Sequence, residues 1–519
     1  MRISQFRIAA LVLLGALLVT NFYRAATQSI VHDEALTWQL YLSGPASAIF
    51  QEYSPNNHFL ATVLFRVATT LFGPSEFAMR LPTVLAGAWF FWTVFRLCGL
   101  VLGDGWLFLL GCAALTLNPL LLDFLVAARG YGLAVAGLFW ALYQMLSWFQ
   151  DQSQGVAENQ LRKRLWKAAI GCSIAVAANL TFVIPVFVLA AAFCILLVRT
   201  GKNTGAPPVP HAVSKARKKG KKLQPDAARE PARSFAPLAH FIVPVAVLAI
   251  AFLLAAPIDL ARSQDFYAGL PTAMKSVQDL TESSFAYGVS SGVMHTVEQA
   301  WSKIALVFFP LMTVVALLAV ATSKPPLHSV QELATGLASL AAIGSAILLI
   351  AAHLLAGVLY PEDRTGIYFI PMASLAALGL VRILAERPGL LPRWTSFAAA
   401  IVLLSFAAEF AAQWNMKSFL VWRYDADTKH IFQKLESTPK PSGPIRLGVS
   451  WVFEPALNYY REIRNANWMT PVERDGFSGT RHFYVVSAED QPNAPWPQLK
   501  QIYRGPVSGT VLAVPRTVQ

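Results

Sequence analysis

The sequence FRIAALVLLGALLVTNFY over residues 6–23, followed by HDEALTW over residues 32–38, decides the architecture of this chain. The first segment is apolar and long enough to cross a bilayer as a helix. The second begins after a short link with the acidic pair Asp33-Glu34 and then becomes apolar. Charged side chains are costly in the hydrocarbon interior, so this pair is expected at the membrane surface.

The composition of the whole chain is that of an integral membrane protein. Of 519 residues, 55% are hydrophobic and 14% are charged, and the mean hydropathy is +0.47. Soluble domains carry about 25% charged residues. We therefore predict an all-α polytopic membrane protein with about eleven transmembrane helices. The predicted spans lie near 6–23, 82–102, 106–126, 131–149, 167–181, 182–199, 236–257, 303–322, 333–356, 367–385 and 396–413.

The first span is interpreted as an uncleaved anchor, because bulky residues follow it where a signal peptide has small ones. The four cysteines, Cys98, Cys112, Cys172 and Cys194, lie inside apolar spans without metal-ligand spacing and are interpreted as packed thiols.

Lys and Arg residues predict the orientation, because positive charges that flank spans stay in the cytoplasm. The net charge is +13, and the segment 200–235 is rich in Lys and Pro. Without interleaved aromatic residues it is interpreted as a basic cytoplasmic loop facing lipid headgroups, and not as a nucleic-acid site. The N-terminus is placed on the same side.

This topology divides the chain into a transmembrane domain, residues 1–413, and a soluble extracytoplasmic tail, residues 414–519. In the first outer loop, residues 24–81, apolar residues at helical spacing predict short interfacial helices at Ala35–Leu42 and Phe59–Phe72. The tail predicts a small α/β domain. Its strands are expected at 445–449, 482–486 and 511–514, and a helix at 454–464.

Polar residues gather at one predicted boundary of the membrane, the outer one. They comprise Asp33, Glu34, the Asn56-Asn57-His58 motif, Arg80, Asp123, Arg129-Gly130-Tyr131 and the segment Tyr360 to Arg364. A single Arg at the end of a span is more often an interface anchor than a ligand. A carboxylate followed by an apolar helix needs a partner, however, because its desolvation is costly. The constellation therefore counts for more than any one member.

One carboxylate and several guanidinium groups at the outer surface suit sugar transfer from a polyprenyl phosphate. The leaving lipid phosphate needs positive charge and hydrogen-bond donors to hold it. The acceptor hydroxyl needs a general base. A transporter or flippase is the alternative, since polar residues between helices also mark substrate paths. That alternative expects charges near mid-membrane and paired halves, which the sequence does not display.

The chain resembles the membrane-embedded C-type (GT-C fold) glycosyltransferases related to the family 39 protein O-mannosyltransferases and to the aminoarabinose transferases that modify lipid A. The architecture of residues 1–415 carries the resemblance. The specific motifs are Asp33-Glu34, Pro55-Asn56-Asn57-His58, Arg80-Leu81-Pro82, Ala128-Arg129-Gly130-Tyr131, and Arg364 followed by Tyr368-Phe369-Ile370-Pro371.

The resemblance implies a hexosyl or pentosyl transferase that uses a polyprenyl-phosphate sugar donor, with inversion at the anomeric carbon. Asp33 would be the catalytic base, and Glu34 would orient it or bind the acceptor. The donor phosphate and sugar would contact Arg129, Arg364, Arg80, His58, Asn57 and Tyr131.

Some relatives bind a divalent metal near this pocket. The candidate ligands here, among them Asp33, His58 and Asp123, lack a recognisable ligand spacing, so no metal site is predicted. The loop 257–302 is too short for the large luminal β-rich domain of the animal and fungal mannosyltransferases. The expected acceptor is therefore a lipid or a glycan, with protein less favoured.

Overall fold

The computed structural model describes residues 4–51, 54–200, 235–257, 269–286, 292–323, 329–440 and 443–516. The predicted basic loop at 200–235 lies outside these residues, except at its two ends. The helices are α1 Gln5–Thr27, α2 His32–Thr37, α3 Ala48–Gln51, α4 Phe59–Phe72, α5 Glu76–Val101, α6 Trp106–Thr116, α7 Pro119–Phe124, α8 Gly130–Ser153, α9 Glu158–Ala178, α10 Val183–Thr200, α11 Ala236–Ala255, α12 Ala273–Phe285, α13 Val293–Ala321, α14 Val330–Ala356, α15 Phe369–Glu386, α16 Leu390–Ala412, α17 Thr428–Ser437 and α18 Glu454–Ile463.

The predicted fold class is confirmed, because apolar helices long enough to span a bilayer dominate and a small sheet lies near the C-terminus. The predicted count of about eleven spans is not confirmed. Within the described residues, nine helices are long and apolar enough. They are Gln5–Thr27, Glu76–Val101, Gly130–Ser153, Leu180–Arg199, Ala236–Ala255, Val293–Ala321, Val330–Ala356, Asp363–Glu386 and Leu390–Ala412.

The span predicted at 106–126 is not one helix but two, α6 and α7, with a break at Leu117 and Asn118. The Asn118 side chain accepts a hydrogen bond from the backbone N–H of Leu121 at 2.9 Å and so caps α7. Pro119 occupies the first turn, where its missing N–H costs nothing. The Asn-Pro pair therefore ends one helix and begins the next inside a continuous apolar run.

The span predicted at 167–181 belongs to α9, which starts earlier and includes Arg162, Lys163 and Arg164. Helix α9 packs closely along α8 through facing glycines. A Cβ added at Gly137 would lie 2.8 Å from the carbonyl oxygen of Gly171, and one added at Gly171 would lie equally close to that of Gly137. Small residues at such contacts let two helix backbones approach each other in a membrane protein.

The first loop forms the short helices that the sequence predicts. Helix α2 continues into a π-helical turn, Trp38–Leu42, and α4 spans Phe59–Phe72 as expected. The C-terminal sheet contains the predicted strands as β1 Leu447–Val449, β2 Phe483–Val486 and β4 Val511–Pro515, together with β3 Leu499–Arg504, which was not predicted.

The sheet order is β1-β2-β4-β3, with β1 parallel to β2 and the other pairs antiparallel. The unpredicted β3 lies at the edge of the sheet and exposes Lys500 and Gln501, which leaves it without the apolar run of the other strands.

The C-terminal domain is docked directly on the first loop. Tyr460 in α18 donates a hydrogen bond to Glu76 at 3.0 Å and accepts one from the N–H of Ile30 at 2.9 Å. The Trp38 indole N–H donates to Glu462 at 3.0 Å. Apolar residues of the loop and of the domain, including Trp38, share one buried cluster. The domain thereby fixes the position of α2, which carries the acidic pair.

Candidate active site

The two neighbouring carboxylates of α2 lie in different environments. Successive residues of a helix are about 100° apart around its axis, so Asp33 and Glu34 project in different directions. The Glu34 side chain is fully buried, whereas that of Asp33 is 15% exposed. The accessible carboxylate of the pair is therefore Asp33.

Glu34 and Arg80 form a buried pair that is complete in itself. Glu34 accepts hydrogen bonds from Arg80 at 2.9 and 2.6 Å, and from the backbone N–H groups of Ala128 at 2.6 Å and Val31 at 3.1 Å. The remaining Arg80 donors are bound to the backbone oxygens of Ala25, Gln28 and Ser29. All five N–H donors of Arg80 therefore have protein acceptors, and its side chain is fully buried.

The structure thus leaves no Arg80 donor for the phosphate contact that the family resemblance implied. Glu34 is likewise fully buried and held by four hydrogen bonds. The pair instead links α2 to α5 and to the backbone before α8. The pair therefore fixes the position of the helix that carries Asp33.

Asp33 lies between two arginines from distant parts of the chain. Its Oδ2 atom is 3.5 Å from an Arg129 nitrogen and 3.4 Å from an Arg364 nitrogen. Burial alone would raise the pKa of Asp33, but Arg129 and Arg364, with smaller contributions from His32 and Trp422, hold this pKa below its ordinary value of 3.8. Asp33 is therefore ionised at neutral pH.

Arg129 is the N-cap residue of α8, and its extended backbone directs the side chain across to the first loop. It donates to Asn56 at 2.8 Å, and more weakly to Thr37 and to the Asp33 carbonyl, both at 3.4 Å. The Asn56 contact was not predicted from the sequence, although the residue belongs to the quoted Asn56-Asn57-His58 motif. Arg129 is almost fully buried, so its charge is balanced by Asp33 and by these oxygens.

Arg364 lies in the 3-10 helix Asp363–Gly366 that precedes α15. Asp363 has a φ of 34°, an uncommon conformation that Asp tolerates better than most residues. Its N–H donates to Asp279 of α12 at 2.5 Å, and its carboxylate pairs with Arg364. Arg364 also interacts with Tyr131, and its side chain remains 25% exposed.

Trp422 completes this group and was not predicted as a site residue. Its side chain hydrogen-bonds Asp33, and its ring lies under the Arg364 guanidinium at 5.6 Å from the ring centroid. Phe124 packs edge-on against the same ring at 5.4 Å. The sequence places Trp422 only at the start of the tail, and no local pattern connects it to a residue nearly four hundred positions earlier.

His58, Asn57 and Tyr131 lie beside the arginines. The His58 and Tyr131 rings meet edge-to-face at 5.2 Å. Burial, followed by the charges of Arg129 and Arg364, lowers the pKa of His58 well below its ordinary 6.5, so its imidazole is neutral. The His58 Nε2 and Asn57 Oδ1 atoms are buried without a partner among the described residues. Buried polar atoms of this kind are candidates for contact with a bound ligand.

The absence of a side chain at Gly130 allows the start of α8 to pack closely against Ala178 and His58. A Cβ at this position would collide with the carbonyl oxygen of Ala178 and lie 2.8 Å from the Cβ of His58. We expect Gly130→Ala to destabilise the protein by about 1–3 kcal/mol, as overpacking usually does. The measurement is the unfolding temperature in detergent. Gly15→Ala, with no atom within 4 Å of the added Cβ, is the matched control, and equal unfolding temperatures for the two variants would contradict the expectation.

The carboxylates at this boundary do not fit a metal ion. Asp33 faces two arginines, and Glu34 forms a buried ion pair with Arg80. Asp123 is paired with Arg24 and accepts a hydrogen bond from the Leu420 N–H at 2.5 Å. In the part of the chain that the structure describes, no three His, Cys, Asp or Glu side chains group together as metal ligands would.

Comparison with known proteins gives only distant likenesses. No family model matches the chain, and neither does any curated protein. Among solved structures, ArnT from Cupriavidus metallidurans bound to undecaprenyl phosphate is 14% identical, covers 98% of both chains and has a TM-score of 0.47. The archaeal oligosaccharyltransferase AglB from Archaeoglobus fulgidus, in complex with an inhibitory peptide and a dolichol-phosphate, is 11% identical over 99% of this chain and 75% of its own, with a TM-score of 0.43. Likenesses this weak carry no argument about fold or activity.

Proposed function

We propose that this protein is a membrane glycosyltransferase that moves a sugar from a polyprenyl-phosphate donor to a hydroxyl group of a lipid or glycan acceptor. The observation that carries the proposal is the arrangement of Asp33, Arg129 and Arg364. One ionised, partly exposed carboxylate lies within ion-pair distance of two guanidinium groups. This set provides a base and an anion site within one cluster of side chains.

In the proposed reaction, the acceptor oxygen attacks the anomeric carbon of the donor sugar. The bond between that carbon and the phosphate oxygen breaks, and the bonding pair leaves with the polyprenyl phosphate. The acceptor proton passes to Asp33, so the acceptor oxygen arrives as a nucleophile. Attack opposite the leaving group inverts the anomeric centre. Arg129 and Arg364 neutralise the phosphate as it departs, which replaces general-acid assistance.

The same arginines control the strength of the base. Without donor they hold the pKa of Asp33 low, which makes Asp33 a weak base. A bound phosphate shares their charge and lets the pKa of Asp33 rise toward a value more useful for catalysis. Donor binding thereby prepares the base. The neutral imidazole of His58 and the amide of Asn57 supply uncharged hydrogen-bonding atoms for sugar hydroxyl groups.

The function is tested by incubating the purified protein with radiolabelled polyprenyl-phosphate sugars and measuring sugar release or transfer, with Asp33→Asn beside the wild type. Turnover of one donor that depends on Asp33 supports the proposal and identifies the sugar. Movement of an intact lipid-linked donor across proteoliposomes, with no Asp33-dependent chemistry, would instead support the transporter or flippase alternative. The bacterial inner membrane location and the outward-facing site are part of the same proposal.

We expect Arg129→Ala and Arg364→Ala to weaken binding of undecaprenyl phosphate by about 10- to 100-fold each, because each removes a charge-assisted contact to the phosphate. Binding is measured by equilibrium titration of the detergent-solubilised protein. Arg382→Ala is the matched control, since this arginine pairs with Glu386 at the other end of α15. Wild-type affinity in both site variants would remove these arginines from the phosphate site.

A further inference from the structure

The C-terminal domain presents an exposed tryptophan against the residue that precedes the proposed base. Trp451 begins the 3-10 helix Trp451–Phe453, directly after β1, and its side chain is 55% exposed. Its ring contacts the ring of His32, the residue before Asp33, edge-to-face at 5.6 Å. His32 Nδ1 is also hydrogen-bonded to the Val452 carbonyl at 2.7 Å. The loop that carries Trp451 is therefore fastened to the start of α2.

The sheet topology also indicates that this loop lies where a ligand can bind, at the carboxyl ends of the parallel strands. Strands β1 and β2 are parallel, and ligands of open α/β sheets bind beyond the carboxyl ends of such strands. Trp451 lies just beyond the carboxyl end of β1. The Ser450 N–H donates to the carbonyl of Val485 in β2 at 2.9 Å. Ser487, which follows β2, donates its N–H to Ser450 at 2.9 Å. These hydrogen bonds hold the loop in place at the carboxyl ends of β1 and β2.

The two sides of Asp33 differ in chemistry. Arg129 and Arg364, both from the membrane domain, form the cationic side. The tail contributes aromatic residues on its own side: Trp422 hydrogen-bonds Asp33, and Trp451 contacts the neighbouring His32. Burial, followed by the carboxylates of Asp425 and Asp33, raises the pKa of Tyr424 in the same part of the tail. A phosphate is favoured on the first side and an uncharged, hydroxyl-bearing group on the second.

We propose that Trp451 is the stacking platform for a neutral sugar ring of the acceptor, which makes the acceptor a glycan or the glycan headgroup of a lipid. This inference rests on the proposed function and assigns the acceptor side of the same site. The C–H groups of a pyranose pack on an aromatic face while its hydroxyls stay in water, which suits a half-exposed indole. The Arg474 guanidinium, 5.7 Å from the ring centroid and ion-paired with Glu454, packs on the same indole.

The test uses the full chain in lipid nanodiscs, with methyl glycosides of glucose, galactose, mannose and N-acetylglucosamine as probes. Saturation-transfer NMR is expected to detect at least one of them on the wild type and on Trp451→Phe. The signal should fall roughly fivefold in Trp451→Ala, the loss expected for one aromatic contact. Trp394→Ala removes an indole that is 65% exposed at the start of α16, away from the site, and should leave the signal unchanged.

Equal glycoside signals in the wild type and Trp451→Ala, or no signal with any glycoside on the wild type, would overturn the platform. Nanodiscs made with brominated lipids test the alternative that the exposed Trp451 inserts into the bilayer. Loss of part of the tryptophan quenching in Trp451→Phe would assign the Trp451 indole to lipid and would also overturn the proposal. Asp33-dependent sugar release by the wild type is measured separately. If sugar release does not depend on Asp33, the proposed function is refuted. If it does depend on Asp33 but no glycoside binds, only the stacking role of Trp451 is refuted.

Discussion

Asp33→Asn is expected to lower the rate of sugar transfer by about 10²–10⁴-fold, because the amide cannot take the proton of the acceptor hydroxyl. The substitution keeps the size of the side chain and leaves the Glu34–Arg80 pair intact. Donor binding should be retained or strengthened, since Arg129 and Arg364 no longer share their charge with a carboxylate. Single-turnover transfer from a radiolabelled donor, together with donor titration, separates the two effects.

Asp104→Asn is the matched control, because Asp104 is a half-exposed carboxylate paired with Arg7 at 3.3 Å, far along the chain from the site. Its transfer rate should equal that of the wild type. The pH profile adds a second readout. Since the pKa of Asp33 lies below 3.8 in the donor-free protein, the acid limb of kcat/KM should also lie below pH 3.8. Arg129→Ala removes a charge that lowers this pKa, so the limb should move to higher pH. Wild-type transfer by Asp33→Asn would refute the base assignment.

Glu34→Gln is expected to destabilise the protein by about 3–5 kcal/mol, the usual cost of breaking a buried ion pair by removal of one partner. Arg80 would be left as a buried guanidinium without its counter-charge, at a position with no exposure to water. The measurement is the unfolding temperature and the folded yield in detergent. Sugar transfer is expected to fall as well, because α2 loses its link to α5.

Glu386→Gln is the control for this prediction. Its partner Arg382 lies at 2.6 Å, the same distance as in the Glu34–Arg80 pair, but the two side chains are 33% and 57% exposed. Exposed pairs typically contribute about 0–1 kcal/mol, so this variant should unfold near the wild-type temperature. The double variant Glu34→Met with Arg80→Met should recover only part of the lost stability, since it removes both charges together but leaves the backbone groups that they bound without partners. Equal stability of Glu34→Gln and Glu386→Gln would show that burial does not govern the pair.

Much of the fold follows from local patterns. Apolar runs predict most of the spanning helices, and helical spacing of apolar residues predicts α4 with its observed bounds. The prediction was wrong at 106–126, where the Asn118-Pro119 signal for a helix start was overlooked in a continuous apolar run. The edge strand β3 was missed because its adjacent polar residues Lys500 and Gln501 interrupt the apolar signal of a strand.

The sequence by itself determined the membrane class and the helical first loop, and it predicted the set of candidate site residues, because these depend on composition and short-range spacing. Only the tertiary structure decided which carboxylate of the pair is accessible. Asp33 and Glu34 are chemically similar neighbours, and their environments differ because Arg80 from α5 buries one while Arg129 and Arg364 flank the other. Trp422 reaches Asp33, and Trp451 reaches His32, only because the C-terminal domain folds back onto α2. Contacts between residues hundreds of positions apart leave no periodic trace in the sequence, since they depend on how finished elements pack.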